Sequence, residues 1–104
     1  MAIVYISGPM TGLPELNYPA FNSAEMALRD IGIHAENPAK NPKPSPETWE
    51  NYMRMAIRQL CTCDLVVTLD GWCSSRGAVA EVELAHRLGM RVVPYHEYLQ
   101  EVLQ

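Results

Sequence analysis

The stretch Ser74-Ser75-Arg76-Gly77-Ala78-Val79-Ala80-Glu81 brings two hydroxyls, a guanidinium and a carboxylate together, just after the apolar run Asp64-Leu65-Val66-Val67-Thr68-Leu69. A strand, a turn and a helix start are written in one passage. At about 100° per residue, Ala78, Val82, Ala85 and Leu88 share a helix face, Glu81 falls on it, and Glu83 points away. A carboxylate on an apolar face is costly unless it is paired or used. Glu81 is therefore either a snorkelling or capping residue or a working group. Its place, at the start of a helix beyond the end of a buried strand, is where open α/β sheets bind ligands.

The companions of Glu81 narrow the chemistry. Ser74, Ser75 and Gly77 sit where a helix N-terminus exposes backbone N–H groups, which suits phosphate, and Arg76 adds positive charge. Ser75 also reads as a plain N-cap, and the two roles are compatible. Neither a Walker A loop nor a G-x-G-x-x-G fingerprint is written here, which disfavours ordinary triphosphate and dinucleotide enzymes. Cys61, Cys63 and Cys73 lack the spacing of a zinc site or a disulfide framework, and His34, His86 and His96 are scattered. The cysteines read as small core or near-core residues of a protein in a reducing cytoplasm. With no metal set, no Cys–His pair and no Ser–His–Asp set, glycosyl chemistry leads: a Glu can attack an anomeric carbon and form a covalent ester. Tyr5, on the first strand, can orient that Glu or be a core tyrosine with a wet hydroxyl.

The elements that must position these groups follow from periodicity and punctuation. Residues 2–7 read as a buried strand ended by Gly8-Pro9, and Gly8 to Pro14 as a loop. Pro19 opens a helix carrying Phe21, Ala24, Leu28 and Ile31, and Gly32 ends it. Residues 33–36 form a short strand. The four prolines from Pro38 to Pro46 make a stiff, extended loop able to reach across a site. A second helix spans about 46–60, with Trp49, Tyr52, Met53, Ala56, Ile57 and Leu60 as an apolar stripe whose aromatics read as core. A third strand covers 64–69, a third helix about 76–88, a fourth strand 91–95 and a short terminal helix 96–103.

Alternating strands and helices imply a small flavodoxin-like, Rossmann-like α/β fold. Its parallel sheet has about four strands in the order 2-1-3-4, with helices on both faces. That order places the first and third strands side by side, so the loop Ser7-Gly8-Pro9-Met10 and the loop before Gly77 face one another as one substrate cleft. At 104 residues the chain, 1–104, reads as a single domain. A net charge of −4 argues against non-specific nucleic-acid binding, and no apolar run is long enough for a membrane span or a signal peptide.

Tyr5-Ile6-Ser7-Gly8-Pro9-Met10-Thr11-Gly12 with Asn17-Tyr18-Pro19-Ala20-Phe21-Asn22 resembles the opening of a phage and bacterial domain family related to the nucleoside 2-deoxyribosyltransferases. Cys63-Asp64, Gly71-Trp72, Ser75-x-Gly77, Glu81 and Ala85 match it later, so the resemblance spans nearly the whole chain. It extends to the 2′-deoxynucleoside 5′-monophosphate N-glycosidases, which share Tyr-x-x-Gly and Ser-x-Gly-x-x-x-Glu. The resemblance implies Glu81 as nucleophile, Tyr5 as its orienting partner, Gly8 in the base-side loop, and Ser75 and Gly77 as phosphate contacts. It implies a small-molecule nucleotide substrate, no cofactor, no metal, and a homodimer or higher homo-oligomer. The transferases resemble one another in having Asp where this chain has Ser75. A hydroxyl can donate to phosphate where a carboxylate would repel it, which favours a 5′-monophosphate.

The family pattern Arg-x-Asp-x-x-x-Leu-x-x-Cys-Asp reads here Arg54-Met55-Ala56-Ile57-Arg58-Gln59-Leu60-Cys61-Thr62-Cys63-Asp64. Ala56 thus replaces the residue expected to handle the leaving base's proton, and Asp70 is the candidate substitute. Two alternatives stand beside the enzyme: a non-catalytic nucleotide-binding module, and a Toll/interleukin-receptor-like enzyme cleaving NAD or a signalling nucleotide.

Overall fold

The computed structural model describes residues 2–104. Strand β1 (Ile3–Ser7) leads through a loop into helix α1 (Tyr18–Asp30), followed by β2 (His34–Glu36) and α2 (Trp49–Leu60). Then come β3 (Leu65–Thr68), α3 (Arg76–Arg87), β4 (Arg91–Pro94) and α4 (Tyr95–Leu103). The four strands form one parallel sheet in the order β2-β1-β3-β4. The fold is the flavodoxin-like, 2-1-3-4 arrangement that the alternation of elements implies. Among the described residues no helix is long and apolar enough to cross a membrane.

Strand alternation sorts the core into two layers. Val4, Ile6, Leu65 and Val67 face α1 and α4, packing on Phe21, Ala24, Leu28 and Tyr98. Tyr5 and Val66 face α2 and α3, with Leu60, Cys63 and Ala85. Fully burying a side chain the size of Leu28 or Phe21 stabilises by about 1.5–3 kcal/mol, and both are 0% exposed. Cys63 is the only cysteine of the three in the core, since Cys61 and Cys73 are exposed.

Boundaries shift where capping decides them. Helix α2 begins at Trp49, later than the proline pattern implies, because the Thr48 side chain accepts the Asn51 N–H at 3.1 Å and ends the extended segment there. The loop after β1 contains an unforeseen turn over Pro14–Asn17, in which Glu15, Leu16 and Asn17 all take left-handed backbone (φ 52°, 52° and 61°). Asn17 fastens that turn by donating from Nδ2 to the Pro9 carbonyl at 2.9 Å.

Candidate functional site

Residues two apart on a strand share a face, so Tyr5 and Ser7 both point from β1 toward α3. Glu81, in the second turn of α3, meets them. The Tyr5 hydroxyl donates to Glu81 Oε2, and the Ser7 hydroxyl donates to Oε1 at 2.7 Å. Glu81 is 6% exposed, and among the described residues no ion pair reaches it. Burial pushes its carboxyl above the usual range, and the two hydroxyl donors only partly offset this. Burial, with the Glu81 charge beside it, holds the Tyr5 phenol far above its ordinary value. Tyr5 is therefore a permanently neutral donor.

Glu81 forms part of the wall of a cavity of about 250 Å³ at the carboxyl ends of β1 and β3. Gly8, Met10 and Thr11 supply one side, and Ser75, Gly77 and Ala78 another. The loops after β1 and β3 touch. A Cβ on Gly8 would stand 2.8 Å from Leu69 Cβ, and one on Gly71 would stand 3.4 Å from the Pro9 ring. Gly8 is thus required by close approach, and Gly71 by its φ of +85°. Ser75 is the N-cap of α3, its Oγ accepting the Ala78 N–H at 3.2 Å.

Three assignments made from the sequence change. Ser7, expected among the ligand contacts, is 0% exposed, and its hydroxyl is spent on Glu81, which makes it an orienting partner like Tyr5. Arg76, at the start of α3, places its guanidinium carbon over the Trp49 ring, 3.5 Å from the centroid. Asp70 is not brought to the cleft: its side chain is 95% exposed and stands 3.9 Å from His96 Nε2. The chain turns at Leu69–Gly71 after β3 has ended, so strand alternation no longer aims that side chain inward.

Another wall is the apolar stripe of α2, whose aromatics the sequence marks as core. Trp49, Tyr52, Met53 and Ala56 of α2 line the cavity, with Tyr18 and Phe21 of α1. The same helical stripe that packs Leu60 into the core runs out over the cleft at its N-terminal end, leaving Tyr52 39% exposed. The proline loop does reach the site, bringing Pro38, Asn41 and Lys43 to its rim. Asn41 is held by its Nδ2 donating to Gln59 Oε1 at 2.9 Å.

The arrangement offers a basic, cation-free carboxylate at one end of an apolar and aromatic slot, with a helix N-terminus beside it. A domain family described as a domain of unknown function (DUF4406) matches residues 2–94. No curated protein matches the chain. Among solved structures it is similar to a 2-deoxyribosyltransferase from the psychrotolerant bacterium Bacillus psychrosaccharolyticus, with a TM-score of 0.70 and 21% identity over 88% of this chain and 71% of that one. At that identity the likeness is one of fold, and it agrees with the fold relationship implied by the sequence motifs. With the family model covering most of its length, the chain belongs to the DUF4406 family.

Proposed function

We propose that this protein cleaves the bond between base and deoxyribose in 2′-deoxynucleoside 5′-monophosphates, as an N-glycosidase or deoxyribosyltransferase with Glu81 as nucleophile. The observation that carries this reading is the state of Glu81: buried at the cleft wall, gripped by two hydroxyls and, among the described residues, paired with no cation. A carboxylate so held keeps its basicity and is fixed in direction, both of which favour attack on an anomeric carbon. Glu81 forms an ester with C1′ as the base departs, and water or an acceptor hydroxyl then releases the sugar phosphate.

The 5′-phosphate sits at the start of α3. Backbone N–H groups and the helix dipole favour an anion there, Ser75 can turn its hydroxyl toward it, and Arg76 adds positive charge at the same helix start. The base occupies the slot between α1 and α2. Leu16 and Tyr52 leave apolar surface at the mouth, which supports a homodimer or higher homo-oligomer; a monomer in sedimentation equilibrium would remove that part.

Incubation with a panel of deoxynucleoside monophosphates, nucleosides and NAD, with chromatography of the free base, tests the reading. Ser75→Asp should weaken monophosphate binding by about tenfold or more and nucleoside binding far less, because it sets like charge against phosphate. Equal calorimetric losses for both would make Ser75 structural only. One observation favours a second reading, a nucleotide-binding module without turnover: Ala56, 8% exposed, lines the cleft where the related pattern has a carboxylate. Binding without base release from any substrate would decide for it.

A further inference from the structure

A glycosidic base that leaves as an anion needs a proton, and the cleft is poor in donors. Apart from Glu81, its walls carry no carboxyl, imidazole or thiol among the described residues. Asp70 is turned to solvent, and Ala56 fills the position facing the slot. The Tyr52 hydroxyl already donates to Glu47 at 2.6 Å, and this bond pushes its phenol up to about 12. Tyr18 and Lys43 bring a phenol and an ammonium to the wall, not a carboxyl or an imidazole. What the walls do offer is π-face: Trp49, Tyr52, Tyr18 and Phe21 surround the slot. The Trp49 ring already carries a cation, the Arg76 guanidinium, at 3.5 Å.

We propose that the preferred substrates are nucleotides whose base is already a cation, such as pyridinium or N-alkylated purine nucleotides, which depart without being protonated. The inference rests on Glu81 being the nucleophile. Its carboxylate oxygen bonds to C1′ as the C1′–N bond breaks. That bonding pair goes to the ring nitrogen, so the cationic ring leaves neutral. Water then adds its oxygen to C1′, the carboxylate is released, and the surplus water proton passes to solvent. No proton donor enters the first step. The cationic ring is held by aromatic faces and by the one buried carboxylate beside it. A neutral purine or pyrimidine would have to be protonated in solution before it could leave.

The test compares nicotinamide 2′-deoxyriboside 5′-monophosphate, a permanent pyridinium, with 2′-deoxyadenosine 5′-monophosphate. Expected is a kcat/KM for the pyridinium substrate at least ~100-fold higher, each rate being referred to spontaneous hydrolysis, since that is the smallest usual contribution of a general acid. The pyridinium rate should be level across neutral pH, while the adenine rate falls about tenfold per pH unit as protonated base becomes scarce. Both should vanish in Glu81→Gln. Ala56→Asp should raise only the adenine rate, and the pH profiles decide the matter even if that variant folds poorly. Glu81-dependent release of adenine with a pH-independent plateau and equal enhancement would overturn the inference and leave the glycosidase reading standing. Cleavage of neither substrate despite measurable binding of both would overturn the two together.

Discussion

Two glutamates on helices are buried to the same degree and held in opposite ways. Glu25 of α1 is 5% exposed and Glu81 of α3 is 6% exposed. Glu25 is held by two cations and an amide: Arg29 Nε at 2.5 Å, Lys40 Nζ at 2.8 Å and Asn37 Nδ2 at 3.1 Å. Burial alone would raise its pKa, yet the donors from Lys40, Arg29 and Asn37 outweigh burial and bring it down to about 2. Glu81 has two hydroxyls and, among the described residues, no cation, so burial wins and its pKa rises. One carboxylate is satisfied on every side and ties α1 to the segment entering the proline loop. The other retains an open side toward a cavity. Burial identifies neither role; the charge of the partners separates them.

The largest effect that would test this contrast lies at Glu81. Glu81→Gln keeps the shape but cannot form the ester, and base release should fall by at least ~10³-fold. Undiminished release would refute covalent catalysis. The same variant should be more stable than the parent at about pH 8, with the difference closing at about pH 4. The sign follows from the raised pKa. A carboxyl whose folded pKa lies above its unfolded value contributes stability below the unfolded value and loses it as pH rises through the folded one. Gln escapes that loss. Thermal denaturation of both proteins across this range checks it, and a constant difference would mean that burial of the charge is not what costs stability.

Much of this contrast was legible before any coordinates. The 3.6-residue period placed Glu81 on the inner face of α3 and Glu83 outside, and Glu83 is indeed exposed. Tyr5 was legible as a strand residue able to orient Glu81, whereas Ser7 was read with the ligand-contacting loop. Pairing was not legible: sequence could not say that Ser7 would spend its hydroxyl on Glu81. Nor could it tell core from cleft along Trp49, Tyr52 and Met53, because periodicity locates a face and not what stands opposite. The Glu25 cluster was missed, since its partners come from i+4 and from a loop beyond β2. The left-handed Glu15-Leu16-Asn17 turn carries no glycine to announce it.

A middle-sized effect belongs to Glu25. Glu25→Ala should cost about 1–3 kcal/mol in urea unfolding, toward the low end of breaking a buried pair because Arg29 and Lys40 can turn to water. Here the pH sign is reversed. The folded pKa is depressed, so the contribution is present above 4.5 and is lost as pH falls toward about 2. The variant should therefore match the parent in acid and differ from it at neutral pH. An unchanged midpoint at neutral pH would make the cluster ornamental to stability.

Gly8→Ala tests the seam of the site and not either carboxylate. The added methyl meets Leu69 Cβ at 2.8 Å, an atom close to the backbone that cannot swing aside. Overpacking typically costs ~1–3 kcal/mol, and reduced freedom of the unfolded chain returns part of it, so a loss of about 1–2 kcal/mol is expected. Binding at the cleft should suffer more than stability does, because the displaced loop carries Met10 and Thr11 into the wall.

The smallest effect is expected at Asp70, and its smallness is informative. Asp70 stands close to Glu81 in sequence and at the same end of the sheet, yet its side chain is 95% exposed, with His96 Nε2 3.9 Å away. Exposed pairs of this kind contribute well under ~1 kcal/mol. Asp70→Asn should therefore leave the unfolding midpoint, the nucleotide affinity and the pH profile of base release all unchanged within about twofold. A collapse of turnover in this variant, rescued by Ala56→Asp, would mean that Asp70 swings into the cleft to donate a proton. In that case the slot would not be acid-free, and the preference for cationic bases would lose its physical ground. Silence at Asp70 together with acceleration of neutral substrates by Ala56→Asp would place the missing proton donor at residue 56, on the wall opposite the one carboxylate the cleft retains.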